Sequence, residues 1–203
     1  MRLNKLEFPS WVTLVLNEAM NPGIDFDKNM SMQAFKSYVM KMLKLNFCNQ
    51  WLSEVTSVFK FPRLRTYRLF KSTHYFEPYL SLVKIDKHRK ALARFRCSSH
   101  HLAIESGRWS MVPVVDRLCV ICGVLDDEFH FFSNCQSNTS ERAVFHNNLR
   151  CELGPDAFYE FKKSIVVNSL SSTSSNILNI TASFIFRSFK RKDSLLFAPL
   201  QRV

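Results

Sequence analysis

At 203 residues and 46% hydrophobic content, the chain is long enough for one ordinary core and too apolar to be disordered. Nineteen Phe against four Gly and seven Pro exclude a turn-rich sheet sandwich and point to a mainly α protein, an irregular helical domain with a cysteine-rich insert. The formal net charge of +11 points to an acidic or phosphate-bearing partner; with no apolar run of about 18 residues, a helical membrane span is excluded.

In chain order, the basic start is followed by the apolar run "WVTLVL", six residues long and too short for a signal peptide, so the protein is expected to be soluble and intracellular. Ser10 can cap a short helix carrying Trp11, Leu14 and Val15, which Pro22 and Gly23 break. Between about Ser31 and Val55, the residues Phe35, Val39, Met42, Leu43, Trp51 and Val55 recur at three- and four-residue intervals, predicting a longer helix capped by Ser31 with this stripe in the core. "KFPRLRTYRLFK" interrupts at Pro62 and is expected to resume as a basic helix. Glu77 and Pro78 suit the first turn of a helix through Tyr79, Leu80 and Val83. Asp86 is the expected cap of the next, with Leu92 and Phe95 inward and Arg89, Lys90, Arg94 and Arg96 largely outward. Ser98 or Ser99 can start "HLAIESGR", and Gly107 is the expected stop. "SSTSSN" (171–176) reads as a loop, after which Ile177, Ile180, Phe184 and Ile185 predict a helix with Arg187, Lys190, Arg191 and Lys192 toward its carboxyl end. The organisation expected is a basic helical region at 1–115, a knuckle with the helix after it at 116–150, and a helical region at 151–203 packing on the same body.

Charge is concentrated. From Lys60 to Arg96 there are eleven Lys and Arg against two acids, Glu77 and Asp86, a net +9 of the chain's +11. Interleaved aromatics such as Tyr67, Phe70, Tyr75, Phe76 and Phe95 would let this block neutralise phosphates and stack on unpaired bases. The alternative is a solvated helix face with its aromatics turned to the core.

Cysteine is concentrated too. Cys48, Cys97 and Cys151 are scattered, consistent with reduced thiols, but the other three of the six fall with His130 inside "RLCVICGVLDDEFHFFSNCQ" (117–136). Cys119, Cys122, His130 and Cys135 have the spacing C-x2-C-x7-H-x4-C. Three thiolates and one imidazole suit tetrahedral Zn2+, and four protein ligands would make the site structural. Gly123 permits the tight turn after the second cysteine, and Phe129, Phe131 and Phe132 would pack the knuckle onto the body. The alternative is that the cysteines are small buried hydrophobes and His130 a core histidine. His146 or Cys151 could replace one ligand, and Cys97, His100 and His101 are candidates for a second site.

The segments "LRTYRLFK" (64–71), "RKALARFRCSSHHLAIESGR" (89–108) and "DRLCVICGVLDDEFHFFSNC" (116–135) follow one another in a familiar order. In these pieces and their intervals the chain resembles the carboxyl-terminal region of non-LTR retrotransposon reverse transcriptases, over about residues 60–192. The resemblance implies that Cys119, Cys122, His130 and Cys135 are zinc ligands in a segment contacting template RNA or target DNA, with the basic helices before it in the same arm. Where that family continues after its last cysteine with Pro and an aromatic, this chain has Gln136 and Ser137.

Nucleotidyl transfer needs carboxylates converging on two metal ions, and the adjacent pair Asp126 and Asp127 lies inside the zinc loop. Asp126, Asp127 and Glu128 read instead as solvent-facing charge or as groups that support the ligands from behind. No Gly-rich phosphate cradle occurs, and His101 with Glu105 lacks the second His of a zinc-protease helix. The chain is therefore expected to be a non-catalytic carboxyl-terminal fragment or stand-alone derivative, with RNA or DNA as its partner and a polymerase-bearing protein as a further candidate. Lys84, Lys87, Arg89, Lys90, Arg94, Arg96 and Arg108 are the expected phosphate contacts. The alternatives are a zinc-organised protein-interaction module and a non-functional remnant of a mobile element.

Overall fold

The computed structural model describes residues 31–57, 64–71 and 74–196. The helix expected at Ser10 and the interruption at Pro62 lie outside them. The chain divides into two compact units, Met1–Glu54 and Val55–Val203.

Helix α1 (Met32–Thr56) carries most of what is described of the first unit. Ser31 caps it as expected, its Oγ accepting the Ala34 N–H at 3.3 Å. Phe35, Val39, Met42, Leu43 and Trp51 are half-buried rather than buried. Full burial of a helical stripe takes a facing element, and the first unit has no other among its described residues.

The second unit is mainly α, with no strand among its described residues beyond an isolated antiparallel bridge from Leu118 to Leu125. Its helices are α2 (Tyr79–Leu82), α3 (Asp86–Arg96), α4 (Ala103–Trp109), α5 (Thr139–Leu153), α6 (Pro155–Lys163), α7 (Ile165–Ser171) and α8 (Ser175–Leu196). Helix α8 is the axis: it packs against α2, α3, α5 and α7. Of the stripe expected from the sequence, Ile177, Phe184 and Ile185 are buried and Ile180 is half-buried, while Leu178 and Ala182 join them in the core. The many phenylalanines form a continuous core seam. Phe131 stacks on Phe189 with ring centroids 4.4 Å apart, Phe145 on Phe184 at 4.6 Å, and Phe132 meets Phe184 edge-on at 4.9 Å. Phe131 and Phe132 thus anchor the cysteine loop, whereas Phe129 is exposed.

Three local expectations are corrected. Residues 64–71 form turns with one 3-10 turn at Tyr67–Leu69, not a basic helix. Their polar side chains are held by acids elsewhere in the chain instead: Arg65 reaches the buried Glu105 and Glu128, while Tyr67 and Lys71 reach the half-buried Glu77 at 3.0 and 2.9 Å. Asp86 sits inside the first turn of α3, after Ile85 at the cap, and pairs with Arg89 and Lys90. Helix α4 is capped from across the fold, because the Ala103 N–H donates to Asp126 Oδ2 at 2.9 Å.

Ser98 ends α3 rather than starting α4. At φ +48 it places the Ser99 N–H on Arg94 O at 2.7 Å and its own N–H on Phe95 O at 3.2 Å, the double closure more often built with glycine. Ser98 Oγ donates to Glu128 at 2.7 Å, which gives a serine a reason to hold this conformation.

Gly107 lies within α4 and stops nothing. A Cβ there would come within 2.7 Å of the Arg117 side chain, whose guanidinium donates to Val112 O and Ile104 O, both at 2.9 Å. Gly107→Ala is therefore expected to destabilise the protein by about 1–2 kcal/mol despite alanine's better helix propensity. Urea unfolding measures this; an unchanged or higher stability would mean that Arg117 yields freely.

Candidate metal centre and basic face

Residues 117–138 fold around their own backbone bonds. The Cys119 N–H donates to Val124 O at 2.7 Å and the Gly123 N–H to Cys119 O at 2.8 Å, a turn that needs Gly123 at φ +67. The second half is a π-type turn, His130–Asn134. Asp127 Oδ1 accepts the His130 N–H at 2.7 Å, and the Cys135 N–H donates back to His130 O at 2.7 Å. The two halves face one another, so the expected four residues come together: one potential ligand atom from each of Cys119, Cys122, His130 and Cys135 lies within 4.8 Å of all the others.

The donor set fits a zinc ion. Cys119 Sγ and Cys135 Sγ are 3.9 Å apart, close to the roughly 3.8 Å between thiolates in a tetrahedron with Zn–S near 2.3 Å. His130 Nε2 is buried without a hydrogen-bond partner among the described residues, an orphan that a metal would satisfy. Burial pushes the His130 imidazole below its ordinary pKa, toward the neutral form that ligates. The Gln136 N–H points at Cys122 Sγ from 3.4 Å, and Ser137 Oγ lies 3.0 Å from Cys135 Sγ. Arg142 donates to Cys135 O at 3.0 Å, bringing a cation toward what would be a net negative tris-thiolate site. Cys119 and Cys135 are almost wholly enclosed, whereas Cys122 and His130 border an open cavity of about 540 Å³.

No second group of three or more such residues occurs among the described residues. Cys97 and Cys151 are exposed, and His100 is hydrogen-bonded to Glu128 at 2.9 Å. His101 pairs with Asp193 at 2.7 Å, whereas Glu105 pairs with Arg65 and Arg108.

The acidic triplet divides between the two roles expected of it and a third. Asp126 and Glu128 are buried, not solvent-facing. Asp126 caps α4 and binds Lys192 of α8 at 2.5 Å. Glu128, 0% exposed, accepts from Arg65, Ser98 and His100. Asp127 caps the turn that carries His130. The stretch between the two ligand pairs therefore ties the loop to α4, α8 and the 64–71 segment.

The seven expected phosphate contacts separate. Lys84, Lys87, Lys90 and Arg94 are exposed. Arg89 is half-buried, donating to Val83 O at 2.8 Å and Asp86 at 2.9 Å, and Arg108 lies over Trp109 while pairing with Glu105 at 3.0 Å. Arg96 is a correction: only 4% exposed, it binds Glu77 at 2.6 Å and Leu170 O, with Phe70 and Tyr79 against its guanidinium, so it cannot reach a phosphate. The sequence reading placed Lys190 at the basic end of α8 without a binding role; it stands beside Lys87, Lys90 and Arg94 along the furrow between α3 and α8.

No protein-family model matches the chain, and no curated protein or solved structure is similar to it. Among the described residues, no helix is long and apolar enough to cross a membrane.

Proposed function

We propose that this chain is a zinc-stabilised, non-catalytic nucleic-acid-binding module, related to the carboxyl-terminal arm of a retrotransposon reverse transcriptase and working beside a polymerase-bearing protein. The observation that carries the reading is the exposed face of α3. Lys87, Lys90 and Arg94 follow one another at three- and four-residue spacing, and among the described residues only Lys90 has a carboxylate partner, the exposed Asp86. Exposed cations clustered on one helix face without an acid to neutralise them are available for phosphate. Four protein donors in the Cys3His cluster would fill a tetrahedral shell, which supports a structural role for the metal.

Fluorescence anisotropy with RNA and DNA oligonucleotides tests this. Binding at 50 mM salt should weaken steadily toward 200 mM, with a log–log slope of about −2 to −3 for three or four neutralised phosphates. Absence of binding to RNA and DNA at low salt would sink the proposal.

A second reading, a zinc-organised protein-interaction module, is favoured by the exposed apolar side chains of Trp109, Met111, Val115 and Val120 before and within the loop. Salt-insensitive association with a polypeptide would select it.

A further inference from the structure

Helices α3 and α8 run in the same direction, because His88 meets Phe186 and, farther along both, Phe95 meets Phe189. Between them lies a furrow of about 550 Å³, within the range of sites that hold a small ligand. Lys87, Lys90 and Arg94 line one wall and Lys190 the other, with Phe186 between them. Lys87, Arg94 and Lys190 form no ion pair with a described residue, and Lys87 Nζ sits 5.3 Å from the centre of the Phe186 ring. The one carboxylate in the lining, Asp193, is engaged by His101 at 2.7 Å.

We propose that this furrow holds the backbone of a single nucleic-acid strand, an inference that rests on the nucleic-acid reading above. The shape selects the strand. A duplex is read by a convex element entering its major groove, about 12 Å wide, whereas here the cations line a concavity between packed helices whose axes sit about 8–10 Å apart. One strand fits such a channel, with its phosphates between the cation rows and a base against the half-buried Phe186 ring. From Lys87 to Arg94 the row spans about 10 Å of helix. Four cations imply a salt slope of about −3 for a single strand.

The test uses the full chain, a twelve-nucleotide RNA, the matching single-stranded DNA and a hairpin duplex of that sequence. Three proteins are compared: the wild type, the triple variant Lys87→Ala/Arg94→Ala/Lys190→Ala, and the control Lys162→Ala/Lys163→Ala on exposed positions of α6. The expected result is tighter binding of the single strands than of the hairpin. The triple variant should weaken single-strand binding about tenfold or more and flatten the slope by about 2, with the control within twofold of wild type. The three substituted side chains are exposed, so circular dichroism should be unchanged; Lys190→Ala alone, flattening the slope by about 0.7, is the milder check. Wild-type binding that survives the triple substitution overturns the furrow while leaving the nucleic-acid reading standing. Preference for the hairpin overturns the single-strand assignment. No wild-type binding at low salt overturns the nucleic-acid reading itself.

Discussion

Cys135→Ala is expected to release the bound metal and to loosen the entire 117–138 loop, with a fall in Tm of about 10 °C or more. Cys135 is 0% exposed, sits 3.9 Å from Cys119 Sγ, and is joined through its backbone to His130 and Arg142. Removing one of four ligands forfeits most of a metal contribution that runs on the order of 10 kcal/mol in zinc-finger peptides. Around the four ligands the loop has little regular structure of its own: one isolated bridge, a π-type turn and a short 3-10 turn at Gln136–Asn138. The metal therefore adds to the ties made by Asp126, Glu128, Phe131 and Phe132. A strong chelator should reproduce the effect in the wild type, and Cys151→Ala, at an exposed thiol, should not. Thermal melting with and without chelator measures all three. A Cys135→Ala protein that melts like wild type, in chelator or out of it, would show that the cluster carries no metal energy.

The next largest effect is expected from Glu128→Ala, at about 3 kcal/mol. Glu128 accepts bonds from Arg65 at 2.7 Å, Ser98 at 2.7 Å and His100 at 2.9 Å, and its removal strands Ser98 and His100 and leaves Arg65 with Glu105 alone. Truncating one partner of a buried pair typically costs about 3–5 kcal/mol; the lower end applies because the Arg65 side chain is 31% exposed. The same carboxylate gives a pH signature. Burial alone would raise its pKa, but the His100 hydrogen bond, the Arg65 charge and Ser98 outweigh that and hold it at about 2. A carboxylate depressed on folding stabilises fully above its unfolded value near 4.5, and that stabilisation disappears as pH falls toward about 2. The stability gap between wild type and Glu128→Gln should therefore be widest above about pH 5 and narrow below about 4.5. Urea titrations of both proteins at pH 7, 4.5 and 3 measure it; a constant gap would mean that the ionised form of Glu128 contributes nothing.

What the sequence made legible was local. The periodicities of α1 and α8 run for many turns, Ser31 caps the residue three positions on, and the C-x2-C-x7-H-x4-C spacing closes within one loop. What it hid depends on partners far along the chain. Arg65 and Glu128 are 63 residues apart, Lys192 and Asp126 are 66, and Arg96 reaches Leu170 O across 74. A helical-wheel argument put Arg96 outside because it is charged. In the fold a carboxylate, a carbonyl and two rings meet that charge, and it becomes core. Asp126 and Glu128 followed the same logic, and Gly107 was read as punctuation when its role is to let the Arg117 side chain pass. Lys190 joins the basic furrow only because α3 and α8 pack in parallel, which residue spacing within either helix does not reveal.

The central claim is that Cys119, Cys122, His130 and Cys135 hold one structural zinc. Elemental mass spectrometry of the purified full chain tests it most directly, alongside Cys119→Ala and His130→Ala. The account predicts about one zinc per wild-type chain and none in either variant. A folded wild-type chain that carries no zinc and takes none up when zinc is supplied would contradict it, leaving the cysteines as buried hydrophobes and His130 Nε2 without a ligand to explain it.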